Sequence, residues 1–176
     1  MNTKHLAFGL RFVYIVLILI VLLSSWRAAL FNLIIFVVTL PILFVAKKDK
    51  RYYTADIFLM ILFVLTLGLR LVGLELVSSV FGLDKLFHFT AGMAMAVLFS
   101  VILEKYISNK WIYYVVIILS SLALGAGWEM FEWLFIVIFS QPIPDVLYYD
   151  TIIDLIVDTL GAIMVVVWIA VRKGLK

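Results

Sequence analysis

Apolar residues fill this chain in long blocks, and polar residues divide the blocks at short intervals. The first apolar run covers about 6–26 and the second about 28–46, followed by the basic cluster Lys47-Lys48-Asp49-Lys50-Arg51. Further runs predict helices over about 54–73, 85–104, 111–139 and 149–171. A helix of roughly 20 residues crosses a hydrocarbon core about 30 Å thick at about 1.5 Å per residue. The apolar–polar alternation of a transmembrane β-barrel is absent from the sequence. The pattern therefore predicts an all-α polytopic membrane helix bundle of about six transmembrane helices, forming a single transmembrane domain over 1–176.

Four places break the regular pattern. Pro41 predicts a kink near the end of the second helix. The run 111–139 makes a helix of 29 residues, about 43 Å long, which must tilt, kink or protrude, and Gly125 and Gly127 are the expected place. Loops are expected over about 74–84 and around Pro142 and Pro144. The first run is long enough to span, and no small-residue cleavage site follows it, so it reads as an uncleaved helix that also targets the chain.

Composition agrees with lipid as the solvent: 66% of residues are hydrophobic and the mean hydropathy is +1.23. A soluble domain of 176 residues cannot bury so much apolar surface. The chain has no cysteine, which excludes disulfides, thiol catalysis and cysteine-ligated metals. A net charge of +3, spread over loops, gives no nucleic-acid footprint. The basic residues act instead on topology. With the N-terminus inside, Lys4, Arg11, Lys47, Lys48, Lys50, Arg51, Lys105, Lys110, Arg172, Lys173 and Lys176 are inner, which is 11 of the 14. Arg27 and Lys85 fall outside, and Arg70 lies within the third helix. The bias predicts a multi-pass protein of the cell membrane with both termini cytoplasmic.

That topology locates the acids. Asp49, Asp56 and Glu104 are inner; Glu75, Asp84, Glu129, Glu132, Asp145, Asp150, Asp154 and Asp158 are expected on the extracytoplasmic side. Asp84 and His88 are spaced i, i+4 on one face of the fourth helix. Asp84 also suits a helix cap, and His88 a hydrogen-bonded structural role beside Thr90, Ala91 and Gly92. Glu129 and Glu132, between Trp128 and Trp133, share a face; they read either as wet surface charges or as a pair sharing a proton or a metal. Asp150, Asp154 and Asp158 form one stripe down the sixth helix. Solvation explains Asp150. It does not explain Asp158, about 13 Å below the helix start among Ile, Val and Leu. A carboxylate near a membrane helix centre costs about 2.5–3.5 kcal/mol on insertion scales, so each buried one must be paired, solvated or used.

These blocks carry a family resemblance. Asp84-Lys85-x-x-His88-Phe89-x-x-Gly92, Trp128-Glu129-x-x-Glu132 and Asp154-x-x-x-Asp158-x-x-Gly161 resemble the VanZ-like small membrane proteins and the related YjdF-like inner-membrane family. The likeness covers roughly 80–161. VanZ-like proteins usually carry Asn at the position of Asp158 and a single acid followed by Gln in the middle block, so the Trp-Glu-x-x-Glu form looks closer to the YjdF-like branch. The resemblance implies a setting in envelope chemistry, through the link of VanZ-like members to glycopeptide-antibiotic tolerance. It does not supply a reaction.

The leading expectation is a His/carboxylate site facing the outer leaflet. Glu129, Glu132, Asp154 and Asp158 are the candidate catalytic groups; His88, Glu132, Asp154 and Asp158 are the candidate ligands of a divalent metal ion. Asp84, Lys85 and Arg70 are the candidate contacts for an anionic, lipid-linked substrate, with membrane lipids as the surrounding partner and no nucleic acid. Lys85 also suits snorkelling, and Arg70 suits an ion pair with one of the acids. No H-E-x-x-H, G-x-S-x-G, P-loop or dinucleotide motif is present. Two alternatives remain open: a cation- or proton-coupled transporter or lipid translocase, and a non-catalytic membrane accessory protein.

Overall fold

Apolar runs of this length satisfy their backbone polar groups as helices, and helices account for the regular structure among the described residues. The computed structural model describes residues 3–46, 51–71, 83–139 and 147–174. Its helices are α1 (Thr3–Leu22), α2 (Trp26–Ala46), α3 (Arg51–Leu71), α4 (Leu83–Leu103), α5 (Lys110–Ile138) and α6 (Leu147–Gly174). Five of them, α1 and α3–α6, are long and apolar enough to cross a membrane. Most of each apolar window faces outward, so these helices need lipid against them. The protein is a polytopic helical membrane protein.

The helix ends differ from the sequence-based ranges by a few residues. Helix α1 ends early because the amides of Leu23, Ser24 and Ser25 close onto the carbonyls of Ile20 and Val21, and the Ser25 hydroxyl accepts from the Ala28 amide to start α2. Helix α2 continues through Pro41 to Ala46. Helix α5 is one uninterrupted helix of 29 residues, capped by Asn109, whose side chain accepts from the Trp111 and Ile112 amides. Of the loop expected over about 74–84, residues 74–82 with Glu75 lie outside the described residues, as does the loop around Pro142 and Pro144 with Asp145, whereas Leu83 and Asp84 already begin α4.

The chain divides into two compact units, Met1–Leu83 and Asp84–Lys176. In the first, α1 packs on α2 and α3, and α2 packs on α3. The buried face of α1 is Ala7, Arg11, Tyr14, Ile18 and Val21, a spacing of four and three that keeps one stripe inward. This corrects the placing of Arg11 among the inner loop charges. Arg11 is 3% exposed and pairs bidentately with Asp56, which is 0% exposed. Its remaining donors reach the Thr39 hydroxyl at 3.2 Å and the Thr39 carbonyl at 2.9 Å. One guanidinium therefore ties all three helices of the unit together.

In the second unit, Ala96 of α4, Tyr113 and Ile117 of α5, and Ala162, Val165, Val166 and Ile169 of α6 form an apolar core. The Tyr113 hydroxyl donates to the Ser100 carbonyl at 2.9 Å, pinning the start of α5 to the end of α4. Glycines set the α4–α6 crossing. A Cβ at Gly92 would strike the Asp158 backbone, and one at Gly161 would strike the Phe89 carbonyl. Backbones that approach this closely leave room for hydrogen only, which is why glycine occupies both positions.

Candidate functional site

The site is built on the opposite end of the second unit from that apolar core. Asp84, Lys85 and His88 come from the first turns of α4, Glu129 from α5, and Asp150, Asp154 and Asp158 from successive turns of α6. Exposure falls steeply down the α6 stripe: the Asp150 side chain is 48% exposed, whereas those of Asp154 and Asp158 are 4% exposed. Asp150 descends to Asp158 over about 12 Å of helix rise.

Lys85 occupies the outer layer. Its Nζ lies 3.1 Å from Asp84 Oδ2, 2.5 Å from Asp150 Oδ1 and 2.6 Å from Asp154 Oδ1. Asp150, read from sequence as a solvated charge, is therefore part of the cluster. Its membership was legible in the stripe, but its partner on α4 was not.

His88 occupies the inner layer and uses both ring nitrogens. Nδ1 lies 3.3 Å from Asp158 Oδ2. Nε2 lies 3.7 Å from Glu129 Oε1 and 3.7 Å from Asp154 Oδ1. The two sides differ in kind. The Nδ1 contact is a hydrogen bond that fixes the ring, whereas 3.7 Å is too long for one. Asp158 is held in turn by a glycine: a Cβ at Gly125 would strike its carboxylate. Gly125, singled out from sequence for the length of α5, makes room for Asp158.

Glu129 is 8% exposed. Its Oε2 accepts a hydrogen bond from Thr151 at 2.9 Å, and its Oε1 has no hydrogen-bond partner among the described residues. Thr151 gave no signal in the sequence, because a hydroxyl at the start of a helix is ordinarily a cap. Glu132, half-buried further along α5, is within electrostatic reach of Glu129, His88, Asp84 and Asp154. Arg70 belongs to α3 in the first unit, and its side chain lies outside the described residues.

Ligand atoms of Asp84, His88 and Asp154 all lie within 4.8 Å of one another, a spacing that one metal ion could bridge. His88 and Asp154 belong to the metal set expected from sequence. Asp158 takes a different position, behind the imidazole. A carboxylate on the far ring nitrogen is the usual means of orienting a metal-binding histidine.

Fold and site together define a multi-pass membrane protein with a buried His/carboxylate cluster on three neighbouring helices. Residues 6–174 match the model of the family described as predicted membrane protein (DUF2238), and the chain belongs to that family. Neither a curated protein nor a solved structure matches the chain significantly.

Proposed function

We propose that the protein binds a divalent cation in the second unit and uses it on a lipid-linked or other envelope substrate at the outer leaflet of the cell membrane. The observation that carries this reading is the buried Oε1 of Glu129, which has no hydrogen-bond partner among the described residues and lies 3.7 Å from His88 Nε2, with Asp154 Oδ1 at the same distance from that nitrogen. Ligands about 2.0–2.2 Å from a tetrahedral ion are separated by about 3.3–3.6 Å, close to these spacings. Charge favours the same reading. Among the described residues, the cations beside Asp84, Glu129, Glu132, Asp150, Asp154 and Asp158 are Lys85 and, when protonated, His88, so carboxyl groups outnumber cationic side chains.

In this reading Asp84, His88 and Asp154, whose ligand atoms lie within 4.8 Å of one another, hold the cation, Glu129 Oε1 approaches it from the His88 Nε2 side, Asp158 orients His88, and Glu132 takes a proton. The cation would polarise a phosphate or acyl group, and a carboxylate would accept the proton of the attacking water. The new bond joins the water oxygen to phosphorus or carbonyl carbon, and the lipid-side oxygen leaves with a proton. The finer likeness to VanZ-like and YjdF-like proteins, through the Asp84–His88, Trp128–Glu132 and Asp154–Gly161 blocks, supports the envelope setting. The transporter alternative has less support, because within the second unit the described residues beyond Asp158 form an apolar core of Ala96, Ile117, Val165, Val166 and Ile169.

The test is cation-dependent release of phosphate or acyl product from polar envelope lipids by the protein in nanodiscs. Release that chelation and Glu129→Gln both abolish supports the proposal. Absence of release with every divalent cation, or release indifferent to chelator, contradicts it.

A further inference from the structure

Lys85 stands out because it already does, with a tethered ammonium, what an outer cation would do. Its Nζ collects carboxylates from two helices: Asp84 on α4, and Asp150 and Asp154 on α6. The Asp154 oxygen that it holds at 2.6 Å is the same Oδ1 that faces His88 Nε2 at 3.7 Å. Asp154 Oδ1 is thus shared between the ammonium and the inner layer, where the buried Glu129 Oε1 has no hydrogen-bond partner among the described residues. A divalent ion bound to that oxygen would sit a few ångströms from Nζ, and two cations so close to one another repel.

We propose that Lys85 is a built-in competitor of the divalent cation: it caps the site in the cation-free protein, must swing away from Asp154 when the cation binds, and so sets cation affinity. The proposal rests on the cation reading above. It assigns Lys85 a different part from the direct contact with an anionic, lipid-linked substrate expected from sequence. Its side chain is 27% exposed, so the ammonium has a route outward along its own flexible stem. Once released, it stands at the mouth with Asp84 and Asp150, where it would meet an anionic group only after the cation has entered. Cation binding and anion binding would then favour each other.

The test is Mn(II) binding, followed by electron paramagnetic resonance, to the full chain in phosphatidylcholine nanodiscs. Lys85→Met keeps the apolar stem and removes the charge; it should tighten Mn(II) binding by about tenfold or more. Lys85→Arg keeps the charge and should restore weak binding. Lys85→Gln carries the same expectation as Lys85→Met should the latter not fold. Binding that is unchanged or weaker in the neutral variants, yet lost in Glu129→Gln, overturns the competitor role and leaves the cation reading standing. Mn(II) binding that survives Glu129→Gln and His88→Ala, or that no variant shows, overturns both.

Discussion

Replacing Arg11 with Leu should be among the most damaging single changes in the first unit. The guanidinium contacts Asp56 through two nitrogens and Thr39 through its hydroxyl and carbonyl, and neither Arg11 nor Asp56 reaches the surface. Removing the arginine leaves a carboxylate that is 0% exposed and takes away its ion-pair partner. Breaking a buried pair in this way costs about 3–5 kcal/mol. That is a large share of the roughly 5–15 kcal/mol that holds a typical domain together. Asp56→Leu should be comparably harmful, since it strands the arginine. The double variant Arg11→Leu with Asp56→Leu removes both charges and should recover most of the loss, because buried pairs replaced by apolar residues are often neutral or stabilising by about 1–4 kcal/mol. Reversible unfolding in mixed micelles, read as a double-mutant cycle, checks this. Single variants as stable as the parent, or a double variant as unstable as the sum of the singles, would refute the pairing argument.

Other consequences concern the second unit. Gly92→Ala drives a methyl into the Asp158 backbone and should destabilise the fold by about 1–3 kcal/mol, measured in the same unfolding assay. Gly125→Ala first meets the Asp158 side chain rather than backbone, so it should displace the acid and weaken Mn(II) binding while costing less stability than Gly92→Ala. Asp158→Asn should leave a folded protein with cation affinity lowered about 10–100-fold, the usual effect of disturbing a group that orients a metal-binding histidine. Thr151→Val removes the hydrogen bond to Glu129 Oε2 and should cost about 0.5–1.5 kcal/mol in the unfolding assay.

The spans were legible because apolar length is what a bilayer demands, and helix is the form that satisfies the backbone within it. Helix ends were less so: local capping at Ser25 and Asn109 decides them, and hydropathy does not register it. The site was half legible. Asp154, Asp158, Glu129 and His88 were conspicuous because a buried carboxylate or imidazole in a membrane helix needs a reason. Their partners were not, since which ring nitrogen faces which acid depends on how three helices cross. The glycines that fix this crossing, Gly92 and Gly161, pass in a sequence as ordinary packing residues. Arg11 was misassigned for an instructive reason. Counting positive charges treats every lysine and arginine near a helix end as a loop charge, but the spacing Ala7, Arg11, Tyr14, Ile18 already put this one on the packed stripe.

Elemental analysis of the protein purified in mild detergent without chelator tests the central claim most directly, with His88→Ala and Glu129→Gln purified alongside. The cation reading predicts about one equivalent of a divalent metal in the parent and a large loss in both variants, each still monodisperse and helical. A metal-free parent that stays metal-free after incubation with Mg, Ca, Mn and Zn, or a metal content that both variants retain, would contradict it.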